Sequence, residues 1–179
     1  MWPWGHLAVG YLVYAFVRRR SGKYPTEAGT VALAVGTQFP DLVDKPLAWS
    51  LGVLPNGRSL AHSLVIACVL WIVILGVARR AGHWEVSSAF VVGYAAHILA
   101  DAVHPVVTGN LADLAFLAWP LLPPVVYDNP RSIVGHFLGL EPTAFLLFES
   151  ILVVVALARW FRDGTPGIAA LRGVLRISS

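Results

Sequence analysis

Charge is scarce in this sequence. Only 13% of its 179 residues are Asp, Glu, Lys or Arg, whereas 57% are hydrophobic and the mean hydropathy is +0.69. A soluble domain carries about twice that share of charged residues, so this chain has too few of them to build a solvated surface. The composition excludes a disordered chain, a nucleic-acid-binding module and an ordinary cytosolic enzyme. It predicts an integral membrane protein that is long enough for one compact bundle of about five spans.

Cysteine is almost absent as well. The single Cys68 excludes an internal disulfide framework and a Cys-rich zinc knuckle. Most of the cationic charge lies in three groups, at residues 18–23, 79–80 and 159–176, and each group follows an apolar run. This distribution is typical of cytoplasmic loops under the positive-inside rule. It predicts a multi-pass protein of the cell membrane whose partner is the lipid bilayer, with no nucleic-acid partner.

The apolar runs predict an all-α, polytopic membrane helix bundle that forms a single domain over residues 1–179. The basic groups orient this bundle with the N-terminus outside and the C-terminus in the cytoplasm. Proline ends helices, so the apolar but Pro-rich residues 111–126 are predicted to form an outer lid, and residues 162–179 a cytoplasmic tail. The five predicted spans cover residues 5–17, 28–44, 60–78, 86–107 and 143–161.

The few ionisable residues within this bundle are predicted to gather at one depth on its outer side. Such groups are costly inside a membrane and are usually functional. His97 and Asp101 are four residues apart and His104 follows three later, so all three share one helical face. Gly93 extends that face by one turn and would let another helix approach closely. Four segments contribute to the predicted cluster: His6, Asp41 with Asp44, His62, and His97 with Asp101.

Imidazole and carboxylate without thiolate are ligands of divalent metals, of zinc above all and also of manganese or iron. Carboxylates that converge without a cation repel one another, and one or two bound ions would relieve that repulsion. The predicted metal ligands are His6, Asp41, Asp44, His62, His97 and Asp101. His104 and Glu149, the latter midway along the last predicted span, are weaker candidates.

Several motifs in the sequence resemble those of a known family. They are Gly5-His6-Leu7, Pro40-Asp41 with Asp44, Arg58 with His62-Ser63, and the segment from Gly93 to Asp101 that contains His97. In this order they resemble the signatures of the membrane-bound metal-dependent hydrolases, a prokaryotic family also described as LexA-binding, inner-membrane-associated hydrolases. The chain departs from the family pattern at Asp44, which follows Asp41 by three residues and not two, at Lys45, where a histidine is frequent, and at Gly57, where a histidine usually precedes the arginine.

The cluster and the resemblance together predict a hydrolase that uses a metal to activate water for attack on an ester or phosphoester. In this interpretation Asp44 takes the proton as general base, and Arg58 binds a phosphate or carboxylate through its planar guanidinium. A site beside lipid and beneath an apolar lid suits a lipid or another amphiphilic substrate. Two alternatives stay open: a transporter or handler of metal ions or protons, and a metal-stabilised membrane scaffold without catalysis. The sequence predicts no particular protein partner.

Overall fold

The structure is a computed structural model that describes residues 1–123, 135 and 142–177, the last four of them as backbone only. These residues form helices and loops and contain no β-strand. A π-helical turn over Pro46–Ser50 and a 3-10 helix over Leu111–Ala118 accompany the α-helices. The α-helices are α1 (Pro3–Arg20), α2 (Glu27–Lys45), α3 (Leu64–Ala81), α4 (Trp84–Thr108), α5 (Ala144–Arg162) and α6 (Ile168–Ile177).

The all-helical prediction is confirmed for this part of the chain, and α3, α4 and α5 are long and apolar enough to cross a membrane. The start of α3 differs from the prediction, since the helix begins at Leu64 and not at residue 60. The reason is the Ser63 hydroxyl, which accepts a hydrogen bond from Ile66 N at 3.3 Å and caps the helix there. Arg58 and His62 therefore lie in the loop 51–63 and not on a helix.

Most of the described basic residues lie at one end of the bundle. Arginines fill the last turns of α1, α3 and α5, where they face the negative end of each helix dipole. Arg18 pairs with Glu85 at the start of α4, and Arg19 pairs with Asp163 at the end of α5. These ion pairs join the ends of α1, α4 and α5, and we call this end of the molecule the basic end.

Glycine lets α2 and α4 pack closely at the centre of the bundle. A Cβ added at Gly93 would lie 2.3 Å from Leu33 O, and one added at Gly36 would lie 2.2 Å from Phe90 O. Only glycine, which has no Cβ, fits these two backbone contacts, and this confirms the close helix approach predicted at Gly93. The approach brings the backbone of α2 within hydrogen-bonding distance of a side chain on α4.

Polar contacts at the basic end tie α5 and α6 to the first two helices. The buried Asp163 carboxylate accepts hydrogen bonds from Tyr11 Oη at 3.0 Å and from Arg159 Nε at 3.1 Å. Glu27 Oε2 accepts three backbone N–H groups at the start of α6, the shortest of them from Gly167 at 2.7 Å. A carboxylate placed at a helix N-terminus in this way is stabilising. The described part of the predicted tail is therefore anchored to the bundle.

The first residues of the predicted lid cover the opposite end of the bundle. Phe116 is buried and lies edge-on to the His62 ring, with 6.3 Å between the ring centroids. The Ser63 hydroxyl donates to Trp119 O, and this contact fixes the segment to the start of α3. Residues 124–126 of the predicted lid lie outside the described residues.

Candidate metal centre

Five of the six predicted metal ligands converge beside this lid segment. His62 Nε2 lies 3.5 Å from Asp41 Oδ1 and 3.6 Å from Asp101 Oδ2. His97 Nε2 lies 3.9 Å from each of the same two oxygens. His6 Nε2 lies 3.2 Å from Asp101 Oδ1. The structure therefore brings side chains from α1, α2, the 51–63 loop and α4 into one cluster.

His97 is oriented by the backbone of α2. Its Nδ1 lies 2.6 Å from Thr37 O, and because a carbonyl oxygen only accepts, Nδ1 carries the proton of the neutral ring. The close contact of α2 with α4 at Gly93, one turn away, makes this hydrogen bond possible. His97 consequently presents the lone pair of Nε2 to the carboxylates, as a metal-binding histidine does.

His62 is oriented by Asp44, which is fully buried. His62 Nδ1 lies 2.8 Å from Asp44 Oδ2. The same carboxylate accepts backbone N–H groups of the loop, from Ser59 and Ala61 at 2.8 Å each and from His62 at 3.2 Å. In metal sites, a carboxylate commonly accepts a hydrogen bond from the ring nitrogen of a histidine that does not bind the metal. The structure thus places Asp44 behind His62, away from the Nε2 that faces the other carboxylates.

His6 is the least satisfied member of the cluster. Its side chain is 1% exposed, and its ring stacks on that of His97 with 3.6 Å between the centroids and 15° between the planes. Within the described part of the chain neither ring nitrogen has a hydrogen-bond partner, since the approach of Nε2 to Asp101 lacks hydrogen-bond geometry. Burying an imidazole without a partner costs free energy, and a bond to a metal would offset that cost.

Cationic groups flank the two carboxylates that face the histidines. Arg58 Nε lies 3.0 Å from Asp101 Oδ2, and the amino group of Met1 lies 2.7 Å from Asp101 Oδ1. Lys45 Nζ lies 2.5 Å from Asp41 Oδ2, one helical turn along α2. These ion pairs offset the repulsion between two carboxylates that share one cluster.

The carboxylates also act on His62, which lies ahead of the candidate membrane span Leu64–Ala81. Burial by itself would lower the pKa of His62, but contacts with Asp41 and Asp44 outweigh burial and raise that pKa. The protonated ring can donate Nε2–H to His97 Nε2, which lies 3.1 Å away. The cluster thus favours a positive charge between its histidines and its carboxylates.

Two overlapping groups in the cluster have the spacing of metal ligands. In each group, one ligand atom per residue lies within 4.8 Å of every other. Tetrahedral zinc holds its ligand atoms about 2.0–2.2 Å from the ion, which separates neighbouring ligand atoms by roughly 3.3–3.6 Å. Among His62, His97 and Asp101 the separations of these atoms run from 3.1 to 3.9 Å and surround that range. The groups are His6, Asp41 and His97, and His62, His97 and Asp101, so His97 belongs to both.

The two weaker candidates lie outside both groups. His104 is exposed, and its ring meets Phe145 edge-on with 5.1 Å between the centroids. Glu149 is fully buried and accepts a hydrogen bond from Trp2 N, which lies 3.2 Å from its Oε2. A Cβ added at Gly5 would lie 2.9 Å from the same oxygen. Glu149 therefore joins α5 to the start of α1.

The groups that orient the two histidines were missed by the reasoning from sequence. Thr37 acts through its carbonyl oxygen, and Ser59 and Ala61 act through backbone N–H groups. Every residue has a carbonyl oxygen and nearly every residue has an N–H, so no pattern of side chains signals these roles. Asp44 was predicted as part of the site, but its support of His62 depends on the fold of the loop 51–63.

The chain matches the model of a protein family described as YdjM inner membrane protein over residues 1–163, most of its 179 residues. The chain belongs to the YdjM inner membrane protein family. The whole cluster, from His6 to Asp101, lies inside the matched part. No curated protein and no solved structure matches the chain significantly.

Membership of the YdjM family establishes the location of the protein. It is an inner-membrane protein, and its apolar helices α3, α4 and α5 are able to cross the membrane. The prediction of a multi-pass protein of the cell membrane is thereby confirmed. The YdjM description names a location and no reaction, so the chemistry has to be argued from the cluster itself.

Proposed function

We propose that this YdjM family protein is a metal-dependent hydrolase whose site lies at the extracytoplasmic face of the membrane. The observation that carries the proposal is the arrangement of His62 and His97. Their Nδ1 atoms are held by Asp44 and by a backbone carbonyl, while both Nε2 atoms face the same two carboxylates. Burying so many titratable groups is costly, and a bound cation would offset the cost.

The proposed ligands are the members of the two overlapping groups, among which His97 is shared. Imidazole nitrogen and carboxylate oxygen without sulfur suit zinc best, and manganese or iron as well. The buried, unpartnered ring nitrogens of His6 support an ion at this place, and the two groups accommodate one ion or two. A divalent cation bound there supplies Lewis-acid activation of water.

The remaining residues position the ligands, handle the proton and bind the substrate. Because the oxygens of Asp44 are engaged by His62 and the loop, we assign Asp44 the support of His62 in place of the general-base role predicted from the sequence. Asp41 is the more open carboxylate, with its side chain 11% exposed against 2% for Asp101. Where the ion is held by His62, His97 and Asp101, Asp41 is outside the ligand set and can take a proton from water. Arg58, with 34% of its side chain exposed, binds an anionic group such as phosphate.

The five-span topology, with the N-terminus outside and the C-terminus in the cytoplasm, is part of the proposal. Helices α1 and α2 contain 18 and 19 residues, which gives each a length of about 27–29 Å at 1.5 Å per residue, close to the ~30 Å of the hydrocarbon core. Both helices are longer than the apolar runs predicted for them. The positive-inside rule assigns the basic end to the cytoplasm, and the cluster lies at the other end.

Transport and a purely structural role receive less support from the geometry. An ion path needs polar groups along the bundle, whereas Tyr11, Tyr14, Leu33 and other side chains pack into a largely apolar core between the cluster and the basic end. A metal that only stabilises a scaffold would be closed off from solvent, whereas Asp41 and Arg58 are partly exposed. Both observations favour catalysis at the cluster.

Hydrolysis by the purified protein in detergent tests this proposal. Nitrophenyl esters of three kinds, a phosphodiester, a phosphomonoester and a carboxylic ester, are assayed after chelation and again after addition of zinc or manganese. We expect hydrolysis of at least one ester only with metal, with the rate lowered on the order of 100-fold or more by His97→Ala and unchanged by His104→Ala. Hydrolysis that survives chelation or His97→Ala would overturn the proposal, as would metal-loaded protein that cleaves none of the esters.

A further inference from the structure

An apolar groove runs along the bundle beside the His/Asp cluster. It lies between α1, α4 and α5 and has a volume of about 330 Å³. Leu99 and Phe148 in its wall are 64% and 46% exposed, so the groove opens to the surface of the described bundle. Its lining side chains are all apolar and include Val9, Val13, Ala95, Leu99, Phe148 and Leu152.

The groove and the cluster share walls. Ala96 and Ala100 line the groove and directly precede His97 and Asp101 in α4, so the ligand face and the groove face are neighbouring flanks of one helix. The Met1 side chain also lines the groove, while the amino group of the same residue lies 2.7 Å from Asp101 Oδ1. A molecule that fills the groove would have one end at the cluster.

The groove has about the depth of one membrane leaflet. Its α4 wall extends from Val92 to Val103, which spans about 16 Å at 1.5 Å per residue, roughly half of a ~30 Å hydrocarbon core. A wall without hydrogen-bonding side chains disfavours a polar ligand and suits a hydrocarbon chain. At the cluster end Arg58 adds a positive charge that fits a phosphate.

We infer that this groove binds one acyl chain of a phosphorylated membrane lipid and presents the lipid's phosphoester to the metal cluster. The inference rests on the proposed function and names its substrate class. Because α4 both lines the groove and carries His97 and Asp101, a seated chain sets the depth of the ester relative to those side chains. In the reaction the oxygen of water bonds to phosphorus and the bond from phosphorus to the leaving alcohol breaks. Asp41 accepts the proton from water and passes it to the oxygen of that alcohol.

Photolabelling detects the bound chain without requiring catalysis. The full chain is reconstituted in phosphatidylcholine vesicles that contain a small fraction of phosphatidic acid with a diazirine in its acyl chain, and labelled peptides are mapped by mass spectrometry. We expect labelling to concentrate on α1, α4 and α5 and to drop several-fold in Leu99→Trp, which fills the groove. Ala95→Leu also narrows the groove, by a smaller added volume than a tryptophan, and should lower the labelling as well. Ile72→Trp, at a 72% exposed position on α3, is the matched control and should leave the labelling unchanged.

Kinetics separate the groove from the proposed function. Leu99→Trp and Ala95→Leu should slow hydrolysis of a long-chain phospholipid several-fold and leave a short-chain, water-soluble phosphoester unaffected. Even labelling around the bundle, no effect of either groove variant, or equal slowing on both substrates would overturn the inference. If labelling concentrates in the groove while no ester is cleaved, the proposed function fails and the acyl-chain site stands.

Discussion

His62 Nε2 and His97 Nε2 lie 3.1 Å apart, while the Nδ1 atom on the other side of each ring is held by an acceptor. Since Nδ1 is the donor in both of these contacts, two neutral rings would turn lone pairs toward each other. A positive charge between the rings, whether a proton or a metal cation, removes that repulsion. The acceptors Asp44 and Thr37 O therefore fix which nitrogen of each histidine faces the site, although neither acceptor lies between the two rings.

Replacing Asp44 by Asn should weaken metal binding without removing a nitrogen ligand. Asn keeps one acceptor oxygen but turns an NH₂ group toward the N–H donors of the 51–63 loop, so His62 loses its fixed orientation. We expect the zinc affinity to fall about 10- to 100-fold and the free energy of unfolding to fall by about 1–3 kcal/mol. Competition with a fluorescent chelator measures the affinity, and thermal unfolding in detergent measures the stability.

Asp41→Asn is the matched control for Asp44→Asn. It alters a proposed ligand that accepts no backbone N–H group of the 51–63 loop among its described contacts. Its zinc affinity should fall, while the stability of its metal-free form should stay closer to wild type than that of Asp44→Asn. Unchanged zinc affinity in Asp44→Asn would contradict the positioning role.

His6→Phe should lose metal without losing stability. A phenyl ring can keep the stacking on His97 and removes two buried nitrogens that have no hydrogen-bond partner in the described part of the chain. The metal-free protein should therefore unfold at the same temperature as wild type or higher, while less zinc is bound at limiting free zinc. His104→Phe, at an exposed position, should change neither quantity. Wild-type zinc binding by His6→Phe would exclude His6 from the ligand set.

Gly93→Ala should push α2 away from α4. The added Cβ would lie 2.3 Å from Leu33 O, a backbone atom that cannot rotate aside, and overpacking of this kind typically costs about 1–3 kcal/mol. An added Cβ at Gly76 in α3 has nothing within 4 Å, so Gly76→Ala should be neutral or stabilising by up to about 1 kcal/mol. Thermal unfolding compares the two variants, and equal midpoints would be inconsistent with the close helix contact.

The part of the site that follows helical spacing could be predicted from the sequence. His97, Asp101 and Gly93 were expected on one face because they lie four residues apart, and the structure places Gly93 and His97 against α2. The membrane location could be predicted from the scarcity of charge, since long apolar runs with few charged residues are typical of membrane-spanning helices. Both predictions depend only on regular geometry or composition.

Contacts made by irregular backbone could not be predicted. The 51–63 loop has no periodicity, and the N–H groups that hold Asp44 converge only once the loop is folded. His104 lies on the same predicted helical face as His97 but is exposed. The spacing along one helix could not predict this, because it does not show how far the neighbouring helices extend. The support that Asp44 gives to His62 could not be predicted for the same reason, because the hydrogen-bond partners of Asp44 cannot be identified from the sequence.

Asp163→Asn should loosen the basic end and leave the His/Asp cluster intact. The buried Asp163 carboxylate accepts from Tyr11 and Arg159 and pairs with Arg19. Removing its charge leaves two partly exposed arginines without their counter-ion, so we expect a loss of about 1–3 kcal/mol in the free energy of unfolding and an unchanged zinc affinity. Asp113→Asn, which alters an exposed contact with Asn110, should be neutral. Loss of zinc binding in Asp163→Asn would show that the two ends are coupled.

The metal content of the purified protein tests the existence of the metal centre most directly. His97 belongs to both ligand groups, so its replacement should remove all bound metal whichever group is filled. After dialysis, inductively coupled plasma mass spectrometry should find one or two zinc ions per chain in wild type and in His104→Ala. It should find only background in a His97→Ala protein that keeps its helix content by circular dichroism. Wild-type protein that binds no zinc, manganese or iron, or folded His97→Ala protein that keeps its metal, would contradict the assignment.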